Sequence, residues 1–500
     1  MTRIVLLLAL VSSSCVAAPS LLIGEAVPAI VPPPAAIAVR VLSYKGEPLV
    51  SAGVEIRSEG ADPLSLLTDE AGMVFVEWNA LGLSVHTEAA AHKNSNLALT
   101  DRPTDTVEIR MAATVLEGFV AGVGGRLLEG ATVMAGGQTS MSAADGSFRF
   151  IALEPGEISA SRAAYLDGTA RWTGDGVVQV SLEPRTVRAL HVGGPEARGD
   201  KWVELLQIAA DTEANAFVVD IKDETGTIHF DSQLAIAQEV DSVRAKYEIP
   251  ALAATMAERD LYLIGRIVAF QDPRAAEVKP SIAVHNSDGS IFIKNGQSFL
   301  DPTDPVARQY AIDLAVEACE LGFEEIQFDY VRYPDGFGES TLFDGGSSEE
   351  VRAEAIRSFL FEASKRLHPL GCAVSADIFG FITTNRGDGG IGQQLEMLAQ
   401  VTDVLSPMIY PSHYSTGWFG FTNPNDNPGP VIANALDDGL DRILGQVILR
   451  PWLQDFSYNA AQVRAQIDSA EERKAGWMLW NSRSSYTIEA LNESDSSAAP

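Results

Sequence analysis

The sequence predicts a multidomain chain, with a carboxy-terminal (β/α)8 barrel preceded by two small all-β sandwich modules. Eight short apolar runs follow residue 186, most of them separated by helical periodicity and most ending on a polar or aromatic residue. Ahead of them a pair of motifs occurs twice in the same order. With 500 residues, 46% of them hydrophobic, the chain can bury more than one core.

In chain order, Arg3 and the apolar stretch after it, too short to span a bilayer, read as an export signal over residues 1–18. The run VAA at 16–18 resembles a signal-peptidase site, and the small residues before Cys15 make that cysteine a candidate for lipidation. Residues 19–35 include VPAIVPPP (27–34), whose prolines favour an extended spacer. No later segment is long and apolar enough to cross a membrane. The expected location is therefore the periplasm, the outer membrane or the exterior, with the mature protein either soluble or tethered by lipid at Cys15.

Two modules, at 36–112 and 113–185, follow from the repeat. GEPLVSAGVEI (46–56) is answered by GRLLEGATV (125–133), and TDEAGMVFV (68–76) by SAADGSFRF (142–150). An acidic residue followed closely by glycine, between alternating strands, supplies hairpin turn chemistry, and strands at this spacing fit a small sandwich. The second copy, with LEPG at 153–156 and AAY at 163–165, resembles the carboxypeptidase regulatory-like, or transthyretin-like, sandwich. The first copy departs from that pattern, with LGL at 81–83 where the second has LEPG. A spacer role is expected of both, with carbohydrate adhesion as the alternative.

The barrel is expected over 186–491. Its strands are predicted at 187–192, 217–222, 261–268, 324–329, 371–377, 403–410, 446–452 and 476–480, and helices at 201–215, 305–321, 348–368 and 459–474. Asp304 followed by Pro305 marks a helix start, and Gly322 its end. Residues 492–500 are small and polar and read as a disordered tail.

The most informative segment is FEEIQFDYVRYP (323–334). Its alternation ends at Asp329, and Pro334 and Gly336 stop the run, which places a carboxylate at the carboxy-terminal end of a strand. In parallel α/β barrels that end faces the active site. Strand parity turns Asp220, Lys222, Arg266, Gln327, Asp329, Ser375 and Asp377 inward. It does the same for Ser406, Met408, Tyr410, Arg450, Trp452, Met478 and Trp480. So much polarity inside a barrel is costly unless it faces a wet pocket. The loops 336–346 and 422–430 are expected to overhang that rim.

With 36 Lys and Arg against 67 Asp and Glu, a net charge of −31, the chain lacks the basic clusters that nucleic acid or anionic lipid would require. Cys319 and Cys372 have no histidine at ligand spacing and read as buried free thiols, with a disulfide as the alternative. No metal or organic cofactor is expected.

VVDIKDE (218–224), LIGRIVAF (263–270), FDYVRYP (328–334), SADIFG (375–380) and SPMIYPSH (406–413) together resemble a bacterial TIM-barrel family of glycosyl hydrolases. The resemblance spans the barrel. It implies a carbohydrate as substrate class, for which the length of the two rim loops suggests a groove that takes a polymer, and it carries Asp220, Lys222, Asp329, Arg332, Tyr333, Asp377 and Tyr410 over as site positions. Glycosidic cleavage needs one carboxyl to protonate the leaving oxygen and another to attack or to activate water. Neighbouring strands lie about 4.8 Å apart, so Asp329 as nucleophile and Asp377 as acid/base could approach the roughly 5.5 Å separation of retaining enzymes. Asp220 and Glu224 are rivals for the acid role, while Arg266 or Arg332 would keep one carboxyl ionised. Tyr333, Tyr410, Trp452 and Trp480 offer faces for sugar stacking, and His413 a hydrogen bond. The competing expectation is a non-catalytic polysaccharide-binding or envelope scaffold protein.

Overall fold

The computed structural model describes residues 36–79 and 81–494. The export segment, Cys15 and the proline-rich stretch lie outside them, as does 495–500. The described residues fall into two compact units, divided between Ala112 and Ala113.

The first unit is a sandwich of two sheets. One orders Met73–Glu77, Ala36–Leu42 and Val107–Arg110, the other Leu64–Leu67, Gly53–Arg57, Leu83–Glu88 and Ser95–Leu99. Alternate residues point inward, so Val39, Val41, Val54, Ile56, Val74, Val76 and Val85 form its core. The second unit begins with a sandwich of the same strand order. Val115–Ala121 lies between Ser147–Ile151 and Val177–Ser181, and the other sheet runs Gln138–Met141, Thr132–Ala135, Gly156–Ser161, Gly168–Trp172. In both modules the last strand pairs parallel with the first. The repeat extends to single hydrogen bonds: the Thr68 hydroxyl donates to Leu49 O and accepts from the Ala52 N–H, as the Ser142 hydroxyl does with Leu128 O and the Ala131 N–H. Gly72 and Gly146 turn the matching hairpins at φ +73° and +71°, and a Cβ on Gly72 would lie 2.6 Å from Val41 O.

A closed barrel of eight parallel strands follows. They are β1 (Arg188–Val192), β2 (Ala216–Lys222), β3 (Tyr262–Val268), β4 (Glu325–Asp329), β5 (Ala373–Phe379), β6 (Val404–Ile409), β7 (the two runs Ile448–Leu449 and Trp452–Gln454) and β8 (Trp477–Trp480). Each pairs with the next, and β8 pairs with β1 to close the ring. Every residue of β2 and β3 is buried, as strands covered on both faces require. Pro451 has no N–H for the ladder and divides β7. Between strands and helices lies the main apolar layer, in which Phe359 of helix Glu349–Leu367 packs edge-on against Phe328 of β4 and Phe270. Helix Pro305–Leu321 is capped by Asp304, whose side chain accepts from the N–H groups of Val306 and Ala307, and Asn459 with Gln462 forms a capping box on Ala460–Glu471.

The second sandwich is fastened to the amino-terminal face of the barrel. Ala373 and Val404, at the feet of β5 and β6, join its apolar core. Arg162 of the sandwich and Asp403 of the barrel pair at 3.0 Å with both side chains almost wholly buried. The second oxygen of Asp403 accepts from His368 Nε2 at 2.8 Å and the Val374 N–H at 2.9 Å. Burial opposes the charge on Asp403, but Arg162 and His368 hold its carboxyl far below the usual carboxylate range.

Two expectations are corrected here. Cys319, in the last turn of its helix, and Cys372, just before β5, are joined by a disulfide with Cα atoms 6.2 Å apart; they are not free thiols. The helix end and the strand start are 53 residues apart in sequence but adjacent across the helix–strand layer. Residues 492–494 are not part of a disordered tail. Asn492 donates its N–H to Glu213 at 2.9 Å, and the Ser494 N–H reaches Asp211 O at 3.1 Å. No helix among the described residues is long and apolar enough to cross a membrane.

Candidate active site

Register decides which polar side chains meet. Asp220 of β2 stands beside Arg266 of β3, and Arg266 beside Gln327 of β4, so Asp329, two residues further along β4, lies diagonal to Arg266. All three guanidinium nitrogens of Arg266 are engaged. Nη1 donates to Asp220 at 2.8 Å, Nε and Nη2 donate to Asp329 at 3.0 and 2.6 Å, and Nη2 also donates to Glu224. Arg266 is 1% exposed and lies 4.9 Å from the centre of the Trp480 ring. A buried guanidinium is tolerated because carboxylates surround it.

Asp220 also receives His191 Nε2 at 3.1 Å, and the His191 ring stacks on Trp480 at 4.2 Å. Burial opposes ionisation of Asp220, yet the charges of His191 and Arg266 hold its carboxyl well below the ordinary range. Asp220 therefore anchors Arg266 from behind the cleft, which it does not line.

Asp329 is fixed on both oxygens, one taken by Arg266 and the other by the Tyr330 N–H at 2.6 Å. Tyr330 adopts φ +47°, a conformation rare for an aromatic residue, and the chain turns there immediately after the strand. The turn lays Tyr330 against Arg332, whose guanidinium lies 4.9 Å from that ring and 4.7 Å from the ring of Phe379.

A cleft of about 590 Å³ opens at the carboxy-terminal rim. Glu224, Arg266, Asp329 and Arg332 supply its charge; Tyr330, Phe379, Phe381, Tyr410, Tyr414, Trp418, Trp452 and Trp480 supply most of its walls, with His413 between them. Burial pushes the His413 imidazole below its usual value. Glu224, on the loop after β2, keeps 33% of its side chain exposed. Because Glu224 and Asp329 both hydrogen-bond Nη2, their nearest oxygens lie within about 6 Å, two hydrogen-bond lengths. Among the described residues no group of three or more His, Cys, Asp or Glu is arranged to hold a metal ion.

Besides Asp220, three predicted site residues lie outside the cleft lining. Lys222 is 0% exposed and faces the helix layer, donating to Asp272 at 2.7 Å and lying over the ring of Tyr310. A bulge shifts the β2–β3 register between Asp220 and Lys222, so parity counted from Asp220 fails at Lys222. Tyr333 is also 0% exposed; it packs on Phe343 and Phe337 and donates its hydroxyl to Gly346 O at 3.2 Å. Asp377, 1% exposed, lies outside the cleft lining. Its Oδ1 accepts from Trp452 Nε1 at 2.8 Å and its Oδ2 has no partner among the described residues. Burial, reinforced by the negative charge of Asp329, pushes its carboxyl well above the usual carboxylate range.

The loops 336–346 and 422–430 contribute no lining residue. The wall comes instead from Tyr414, Ser415 and Trp418, where aromatic residues stand among small ones after β6, a signal available in the sequence. His191 was equally visible as the polar residue near the end of β1.

Residues 189–486 match the family model described as "Putative glycosyl hydrolase domain". The chain belongs to that family. No curated protein matches it. Among solved structures, a hypothetical protein from Ruminiclostridium thermocellum is 35% identical over 38% of this chain and 96% of its own, with a TM-score of 0.35. The glycoside hydrolase domain of PgaB (BpsB) from Bordetella bronchiseptica is 12% identical, covering 60% and 95% of the two chains at a TM-score of 0.45. The glycoside hydrolase domain of PelA from Pseudomonas aeruginosa is 12% identical over 61% and 97%, at 0.38.

Proposed function

We propose that this protein is an exported glycoside hydrolase that cleaves an envelope or extracellular polysaccharide with Asp329 as nucleophile and Glu224 as acid/base. The observation that carries this reading is the sharing of Arg266 Nη2 by two carboxyls that both line an aromatic cleft. Their spacing falls within reach of the roughly 5.5 Å separation of retaining enzymes. Asp329, gripped on both oxygens, is oriented for attack, while the more exposed Glu224 sits on a loop from which it can reach a leaving oxygen and then a water. Asp377 takes neither role. Its buried carboxyl accepts from the Trp452 indole and holds that ring in the cleft wall. The aromatic rings match the apolar C–H faces of sugars.

Export is supported by the Cys319–Cys372 disulfide, a bond that persists in oxidising compartments. Cys15 remains the proposed lipid anchor. The burial of Asp377, and of Asp329 in its ion pair with Arg266, favours a non-catalytic, polysaccharide-binding reading.

Reducing-end release from a polysaccharide panel decides between them. Asp329→Asn is expected to lose activity at least a thousandfold while folding normally. Glu224→Gln is expected to lose it on polymers but to retain much of it on aryl glycosides, whose leaving groups need no proton. Binding without cleavage by the unaltered protein on every polymer would establish the non-catalytic reading.

A further inference from the structure

The cleft has two guanidinium groups, and they differ in what they have left to offer. Arg266 is saturated by Asp220, Glu224 and Asp329. Arg332 uses only Nη1, which donates to Tyr333 O at 3.1 Å and to Asp335 Oδ1 at 3.2 Å. Among the described residues its Nε and Nη2 have no partner, and neither is among the unpaired atoms sealed from solvent. Those two nitrogens form one edge of the guanidinium plane, the fork that receives two oxygens of a single anion side by side.

The fork is also held in place. Tyr330 and Phe379 flank the guanidinium, both line the cleft, and the positive φ of Tyr330 puts its ring there at a conformational cost. Asp335 neutralises Arg332 incompletely, since half of its side chain is exposed and it also faces Lys294 at 3.5 Å. With a net charge of −31 the protein does not draw polyanions from a distance, so any preference for them has to come from local contacts of this kind.

We infer that Arg332 binds the carboxylate or sulfate of an acidic sugar unit through Nε and Nη2, so that the polymer taken by this cleft is anionic. The inference rests on the reading of the cleft as a carbohydrate site and names its substrate class. Recognition of a planar or tetrahedral oxyanion by this fork is common to uronic acids and sugar sulfates.

The test measures binding by the full chain carrying Asp329→Asn, so that polymer is held and not consumed. Four probes are compared: a polyuronate, the same polymer with its carboxyls reduced to alcohols, a sulfated galactan, and its desulfated form. At least one acidic polymer is expected to bind tenfold or more tightly than its neutral counterpart, and the acidic member that shows the preference identifies the source of the anion. Adding Arg332→Gln is expected to bring that ratio close to one, with Arg332→Lys intermediate because it keeps the charge and loses the fork. Equal binding of acidic and neutral partners with Arg332 intact, a measurement that needs no Arg332 variant, would overturn the inference. So would a ratio unchanged by Arg332→Gln. Cleavage by the unaltered protein is followed alongside. Acid preference without cleavage supports Arg332 and removes the hydrolase; cleavage of neutral polymers alone keeps the hydrolase and removes the inference; binding of no polymer removes both.

Discussion

Asp377 shows how environment sets the work of a carboxyl. Buried beside the charge of Asp329, it has a folded pKa raised above its unfolded value, and it therefore binds more protons folded than unfolded at every pH between the two. Its contribution to stability is full below about pH 4, the unfolded value, and declines as the pH rises through that window. Asn cannot ionise and keeps an acceptor for Trp452 Nε1, so Asp377→Asn is expected to gain stability relative to the unaltered protein between pH 4 and pH 7, as read by thermal unfolding at both. Asp377→Ala, which leaves the indole N–H unpaired, is expected to cost about 1–3 kcal/mol. A constant offset between the Asn variant and the unaltered protein across this range would show that Asp377 is ionised in the fold. Residue chemistry of this sort was only partly legible in the sequence. Parity found Asp220, Arg266, Asp329 and Trp480, because strand geometry is regular where they stand. It misplaced Lys222 at a bulge, and Tyr333, carried over by the family resemblance, lies beyond the sharp turn at Tyr330; both are departures from regular backbone that the side-chain pattern does not encode.

At the scale of elements, the strands and most of the long helices were legible because apolar runs, caps and terminal glycines are local signals. Helix Pro305–Leu321 begins after Asp304 and ends before Gly322, where the sequence places both. The Cys319–Cys372 bond was not legible, since it depends on a helix end meeting a strand start from another part of the chain. Closing a loop of this length restricts the unfolded chain, so replacing both cysteines by serine is expected to lower stability by about 2–4 kcal/mol, read by denaturant midpoint with a steeper transition because the unfolded chain becomes less compact. A buried ion pair joins the second sandwich to β6. Arg162→Ala leaves Asp403 buried with its charge only partly compensated by His368, and is expected to cost about 3–5 kcal/mol. A loss below about 1 kcal/mol, typical of exposed pairs, would mean that water reaches this contact.

At the scale of the whole molecule, two sandwiches of one topology have different relations to the packing of the chain. The repeat was plain in the sequence, yet equal motifs suggested equal roles, and the structure separates them. The first module has its own core within the unit that ends at Ala112, whereas the second shares Ala373 and Val404 with the barrel and supplies Arg162 to it. A spacer module would make no such buried contact. A chain beginning at residue 113 keeps the second sandwich with its buried contacts to the barrel, and its unfolding midpoint is the reference. A chain beginning at residue 186 uncovers the apolar feet of β5 and β6 and leaves Asp403 without Arg162. It is expected to lose about 3–5 kcal/mol with the broken buried pair, and to aggregate on heating. Equal unfolding midpoints for the two shortened chains would show that the second sandwich is a passenger, and the buried Arg162–Asp403 contact would then need an explanation other than stability.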